Sequence, residues 1–250
     1  MKLLPLLALA FVSAAALRAD DYAFKESFIR SGAFKPGGEI SLENINGNIE
    51  VRTWDKNEIL IEGEKSAKTD EELKLIELTI DLTDSAANIK VHLPKRDGFW
   101  SNNIRAAVRF TLTIPATATL QHISSVNGSV DLADVRGTAN ISSVNGQIRA
   151  RDLAADARLH TVNGSIHASF STVTAKQSVS CETVNGSVHV AVPKDAGFAL
   201  HAHTVNGGIH CAFPITLGDK GRHSLSGTIG DGRADLSARS VNGSVHIESL

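Results

Sequence analysis

Apolar and polar residues alternate with a period of two along most of this 250-residue chain, and one short phrase punctuates the alternation repeatedly. It reads "TVNGSIHASF" at 161, and returns as "SVNGSVDLAD" at 125, "SVNGQIRARD" at 143, "TVNGSVHVAV" at 183, "TVNGGIHCAF" at 204 and "SVNGSVHIES" at 240. A more distant copy, "NINGNIEVRT", begins at 44. Three residues after the Asn stand Val130, Ile148, Ile166, Val188, Ile209 and Val245, and five after it Leu132, Ala150, Ala168, Val190, Cys211 and Ile247. Between these columns come Asp131, Arg149, His167, His189, His210 and His246. Each copy therefore predicts a strand with one face in the core and one in water. Before the Asn, Ile123, Ile141, Leu159, Cys181, Ala202 and Ala238 form another apolar column, and the Val of the phrase is expected to form a further inward one. The early copy follows the same rule with Leu42, Ile45, Ile49 and Val51.

The Asn residues fall at 46, 127, 145, 163, 185, 206 and 242, so the steps from 127 onward are 18, 18, 22, 21 and 36, the last being twice 18. Repeats of this length predict a β-solenoid, parallel β-helix-like, in which each coil stacks on its neighbour. Asn127-Gly128, Asn145-Gly146, Asn163-Gly164, Asn185-Gly186, Asn206-Gly207 and Asn242-Gly243 are its predicted corners. Asn-Gly tolerates positive φ at such a corner, the conformation expected for Gly146 and Gly164. Gly137, nine residues from both Gly128 and Gly146, marks a second turn in the coil. The rival arrangement is a series of Asn-Gly hairpins. Hairpins would turn the six valines outward into a poor surface, whereas stacking aligns the Asn amides about 4.8 Å apart, within reach of one another.

Residues 121–250 are the regular part and residues 20–120 an irregular β-rich part, read together as one all-β domain. In the irregular part "EILIEGEK", "LKLIELTIDL", "ANIKVHLP" and "AAVRFTLTIP" predict strands, ended by Pro94, Pro115 and charged turns. The β-branched residues of "DEELKLIELTI" favour strand over helix there. Downstream, "SGTIGDGRADLSARSVNG" reads as a degenerate coil with its far corner at "GDG".

Three segments, "ISLENINGNIEVRTWDKNEILIEGEK", "FTLTIPATATLQHISSVNGSV" and "GTIGDGRADLSARSVNGSVHI", resemble the bacterial toastrack, or adhesin-like, family of exported β-repeat proteins. The resemblance spans nearly all of the chain after residue 19. It implies a β-solenoid in or near the cell envelope, whose relatives are associated with adhesion or with envelope-stress systems. It carries no established catalytic residues to transfer.

Composition adds the destination. "MKLLPLLALAFVSAAALRAD" has Lys2, an apolar run from Leu3 to Ala16 and then small residues, the pattern of a secretory signal peptide over residues 1–19. Its removal takes Lys2 and Arg18 and no acid, moving the formal net charge from −2 to −4. A mildly acidic, mixed-charge chain argues against nucleic acid or an anionic membrane surface as a partner, and the lack of a second long apolar stretch argues against stable membrane insertion of the mature protein. Aromatics make up 5% of residues, with Trp54 and Trp100 the only indoles, so broad stacking platforms for sugars or bases are not advertised. The expectation is an exported protein, periplasmic, cell-surface or secreted, whose partner is a protein or cell-wall polysaccharide.

Candidate chemistry is thin. His167, His189 and His210 share one outward column in coils that follow one another in sequence, and His160, Glu182 and His203 share a second. Stacked imidazoles suit zinc or a pH-sensitive face, but no Cys or carboxylate completes a familiar ligand set, so a solvated strand face is the favoured reading and no metal is expected. No cofactor is expected. Cys181 and Cys211 fall in apolar columns of coils adjacent in sequence, leaving both a disulfide and buried thiols open. Asp131 and Arg149 read as a cross-strand ion pair rather than catalytic groups. No nucleophile elbow, triad spacing or phosphate loop stands out, so the expectation is a non-catalytic interaction module. An accessory or sensor module of an envelope-stress system is the alternative, and a polysaccharide-active β-helix enzyme the remote one.

Overall fold

The computed structural model describes residues 22–93 and 106–250. The expected signal peptide, Pro94 and Trp100 lie outside the described residues. The irregular part supplies β1 (Phe24–Ala33), β2 (Glu39–Asn46), β3 (Ile49–Trp54), β4 (Glu58–Ala67), α1 (Asp70–Lys74), β5 (Glu77–Leu82), β6 (Ala86–His92) and β7 (Ala106–Pro115). The repeats supply β8 (Thr119–Asn127), β9 (Val130–Ala133), β10 (Ala139–Asn145), β11 (Ile148–Leu153), β12 (Ala157–Asn163) and β13 (Ile166–Phe170). They continue as β14 (Ser178–Asn185), β15 (Val188–Val192), β16 (Phe198–Asn206) and β17 (Ile209–Cys211). The chain finishes with β18 (Thr216–Lys220), β19 (Ser224–Ile229), β20 (Ala234–Asn242) and β21 (Val245–Ser249).

Each repeat is one coil of the expected solenoid. A strand ending at the Asn lies in one sheet, the chain turns at Asn-Gly, and the following strand lies in the other sheet. Coil strands pair in parallel with their counterparts, as when Ile148 sits opposite both Val130 and Ile166. The inward columns of both sheets meet in one buried cluster running from Phe34 to Ile247. Parallel strands alternating in this way bury apolar side chains on one face and leave polar ones outside.

The order of the coils differs from the order of the sequence. One sheet runs β1-β4-β7-β3-β9-β11-β13-β15-β21-β17 and the other β18-β19-β16-β20-β14-β12-β10-β8-β2-β6-β5. The last coil in sequence, β20–β21, therefore lies between β14–β15 and β16–β17. After β17 the chain forms the antiparallel hairpin β18–β19 along the open edge of β16, where it shields unpaired backbone groups. It then arcs back over the start of β16 to fill the vacant layer. The arc is Gly230-Asp231-Gly232, with φ of 59° at Gly230 and 66° at Gly232. Thus "GDG" is a bridge between two strands of the same sheet, not the far corner of a coil. Gly197 lies beneath it, where a Cβ would stand 2.0 Å from Asp231 Oδ1.

Two smaller expectations also change. The segment at residues 70–74 is helical, because Thr69 Oγ1 caps Glu72 N at 3.1 Å and Lys74 pairs with Asp70 at 2.6 Å. Only from Glu77 does the β-branched stretch become a strand. The second turn falls where Gly137 placed it, between β9 and β10. A Cβ on Gly137 would meet Ala118 O at 2.1 Å. No helix among the described residues is long and apolar enough to cross a membrane.

Candidate functional site

The corner phrase divides its work among four residues. The hydroxyl residue two before the Asn is buried, as in Thr161 and Thr204 at 0% exposure. Its Oγ donates to the Gly carbonyl of the neighbouring coil: Ser143 to Gly128 at 3.0 Å, Thr161 to Gly146 at 2.8 Å, Thr183 to Gly164 at 2.8 Å, Ser240 to Gly186 at 2.8 Å and Thr204 to Gly243 at 2.7 Å. Asn44 takes this place in the early copy, donating to Gly47 O at 3.0 Å and Val108 O at 2.8 Å. The Asn amides form a continuous ladder in spatial order. Asn127 donates to Asn46, Asn145 to Asn127, Asn163 to Asn145, Asn185 to Asn163, Asn242 to Asn185 and Asn206 to Asn242, each at 2.8 Å.

The glycines are needed for a reason other than the one expected. Gly146 and Gly164 do not have positive φ, whereas Gly47, Gly186 and Gly243 do, at 116°, 155° and 158°. The requirement common to all the corners is space. A Cβ on Gly128, Gly146, Gly164, Gly186, Gly207 or Gly243 would stand 2.0–2.1 Å from the carbonyl oxygen of the adjoining corner Gly.

The valines are the main correction at the corner. Val126, Val144, Val205 and Val241 are 41%, 40%, 48% and 39% exposed, and Ile45, Val162 and Val184 are half-buried. Period-two alternation continued from Ile123 puts Ser125 inward and Val126 outward. The apolarity of Val misleads, because the inward hydroxyl is satisfied by a backbone acceptor and needs no apolar replacement. The stacked solenoid therefore presents the same ribbon of outward β-branched side chains that hairpins would, so the valines do not discriminate between the two arrangements.

On the outer face of the other sheet, the polar column reads in spatial order Glu50, Asp131, Arg149, His167, His189, His246, His210. Arg149 and Asp131 pair at 3.5 Å, as the sequence suggested. The expected trio His167, His189 and His210 is not contiguous, since His246 on the inserted strand separates His189 from His210. The rings of His167 and His189 stack at 4.7 Å and 6°, and those of His189 and His246 at 4.5 Å and 3°. His210 stands 6.1 Å from His246, tilted by 48°. Burial, then the neighbouring His189 and Arg149, holds the His167 imidazole below its ordinary pKa.

The inserted strand also brings a carboxylate that sequence reasoning missed. Glu248 lies two residues after His246, on the same face, directly opposite Ala191. The small Ala191 side chain leaves room for Glu248 to lean across, and its Oε1 lies 3.4 Å from His189 Nδ1. Among the described residues, His189, His246 and Glu248 form a group whose ligand atoms all lie within 4.8 Å of one another. The i, i+2 spacing of His246 and Glu248 was visible in the sequence; their contact with His189 depends on coil order. The same insertion reorders the second outward column to His160, Glu182, Arg239, His203, with Arg239 3.6 Å from Glu182.

The cysteines are separate and free. Cys181 lies in the core of one sheet, where burial pushes its thiol pKa up to about 12. Cys211 is half-buried at the end of the other sheet, and burial raises its thiol too. The inserted coil lies between their layers. Two steps of about 4.8 Å exceed the roughly 7 Å Cα separation that a disulfide spans.

The family model described as Toastrack DUF4097 matches residues 122–248, just over half of the chain. No curated protein matches the sequence. Among solved structures, the chain is similar to a candidate cell adhesion protein from Clostridium sporogenes, at 13% identity and a TM-score of 0.54, covering 90% of this chain and 100% of that one. A candidate adhesin from Bacteroides fragilis aligns at 13% identity over 89% of this chain and 97% of its own, with a TM-score of 0.34. At these identities, the first likeness speaks to the fold alone.

Proposed function

This chain belongs to the toastrack family, and from that premise we propose that it is a non-catalytic, adhesin-like interaction module exported to the bacterial cell envelope, whether periplasmic, on the surface or secreted. The observation that carries the reading is the apolar ribbon beside the Asn ladder. Ile45, Val126, Val144, Val162, Val184, Val241 and Val205 line up along one edge of the stack, four of them more than a third exposed. An ordinary soluble surface breaks such a line with charge. The solenoid fixes the ribbon rigidly, because each interior rung is tied above and below by Asn hydrogen bonds and by a buried hydroxyl or amide. A preorganised apolar line of this kind loses little conformational entropy on association. Its β-branched side chains carry no aromatic face for sugar rings, which favours a protein partner over cell-wall polysaccharide. The leader-like residues 1–19 support export, and the relative described as a candidate cell adhesion protein agrees with the reading.

The test is photo-crosslinking in intact bacteria, with a photoreactive amino acid at position 144. The expected result is a discrete protein adduct that disappears when Val126, Val205 and Val241 are all replaced by Lys, while the melting temperature of the purified variant stays close to wild type. Crosslinks confined to cell-wall glycan, or an adduct unchanged by the three lysines, would overturn the reading.

A further inference from the structure

We infer that His189, His246 and Glu248 form a binding site for a divalent transition-metal ion of the zinc class. The donor set is built by the inserted strand. β21 carries His246 and Glu248 on its outer face, and its parallel pairing with β15 puts His246 directly beside His189. Glu248 reaches diagonally to His189 Nδ1 over Ala191, so one carboxylate and two imidazoles converge from two strands. Their ligand atoms lie within 4.8 Å of one another.

The chemistry of the cluster points to a metal. Two imidazoles stacked face to face cannot hydrogen-bond to each other, because their nitrogens lie in the ring planes, directed past the neighbour. The Nδ1 edge of His189 meets Glu248 Oε1 at 3.4 Å, and a carboxylate beside two imidazoles that cannot bond to each other is a donor set suited to a cation. Zinc bonds of about 2.0–2.1 Å place tetrahedral donors roughly 3.4 Å apart. The closing movement of up to about 1.4 Å is within reach of side-chain rotation at the tips of outward-facing residues. Imidazole with carboxylate selects zinc, cobalt or nickel over magnesium and calcium, which take oxygen ligands. His167 on one flank and His210 on the other supply a nearby further imidazole. A bound ion would cross-link β15 to β21, fastening the inserted coil to the β14–β15 coil beside it in the stack.

The site is tested by titrating zinc chloride into tag-free protein spanning residues 20–250, followed by calorimetry, with magnesium chloride as control. One zinc ion per chain is expected, with a rise in melting temperature because the folded state alone brings the two strands together. His246→Gln and Glu248→Gln should each weaken binding by about tenfold or more, while His160→Gln, on the opposite sheet, leaves it unchanged. Cobalt should give the visible absorption of a low-coordinate nitrogen–oxygen site, lost in the same two variants. Circular dichroism of the metal-free variants shows whether they keep the fold, and Ala191→Leu is a second probe that crowds Glu248 without removing or adding a ligand and should also weaken zinc. Absence of zinc binding by folded wild type, binding that survives both His246→Gln and Glu248→Gln, or equal response to magnesium would each overturn the site.

Discussion

Two ladders run along this solenoid, and they differ in whether their rungs complete one another. A carboxamide carries both donor and acceptor, so Asn46 through Asn206 link into a chain of 2.8 Å bonds that consumes its own polarity. The imidazoles of His167, His189 and His246 stack at 4.7 and 4.5 Å with no hydrogen bond between them. Repetition alone therefore does not mark a functional residue in a stacked fold. A self-complementary side chain repeats because the stack needs it; one that is not self-complementary is left with unused bonding capacity facing outward.

The largest effect that would sharpen this contrast comes from the corner backbone. Gly164→Ala drives a Cβ to 2.1 Å from Gly146 O, and should cost about 2–4 kcal/mol in urea unfolding or prevent folding. Gly208→Ala, with nothing within 4 Å of its Cβ, should cost no more than about 0.5 kcal/mol. Similar losses at both positions would show that the corners do not approach so closely.

Next in size is the thiol buried in the core. The Cys181 pKa of about 12 exceeds its unfolded value near 9.0, so between these limits the folded state holds a proton that the unfolded state releases. That contribution is fully present below pH 9 and declines above it by about 1.4 kcal/mol per pH unit. The stability of wild type relative to Cys181→Ala should accordingly fall between pH 9 and 11; a constant difference would place this thiol nearer water. Native alkylation at pH 8 should modify Cys211 well before Cys181.

The Asn ladder itself should give intermediate losses. Asn163→Ala removes two rungs, to Asn145 and from Asn185, and should cost about 1–2 kcal/mol. Asn206→Ala, at the end of the ladder, removes one and should cost about half as much. Equal costs would break the ladder argument. Smallest of all, replacing His167, His189 and His246 together by Gln should change metal-free stability by less than about 0.5 kcal/mol, as expected of outward positions without mutual bonds. A loss as large as that of Asn163→Ala would make the two ladders structurally alike.

Much of this was legible in the sequence. The columns at Val130, Ile148 and Ile166, the Asn-Gly corners and the pairing of Asp131 with Arg149 all follow from counting, because period-two alternation fixes which face each residue takes. Even the outward turn of Val126 was there, in the step from Ile123 to Ser125, though its apolarity argued the other way. The short helix was written in the Thr69 cap. Coil order was not legible, and for a physical reason: every copy presents the same columns, so any parallel order of stacking satisfies them equally. The meeting of His189 with His246 and Glu248 was hidden for that reason alone, whereas the close approach of the corner glycines appears only once two backbones are in place.

The insertion of β20–β21 also bears on how the chain acquires its shape over time. A solenoid stacked in sequence order can grow one coil after another as the polypeptide emerges from a ribosome or an export channel. Here β16 has no parallel partner until β20 arrives, and β14 keeps an open edge for the same interval. Strands β20 and β21 act as a keystone, and their loss would split the stack in its interior rather than shorten it. Assembly must wait for β20–β21, which joins the two ends of the repeat region into one all-or-none event and leaves unpaired strand edges exposed to chaperones until that coil is made.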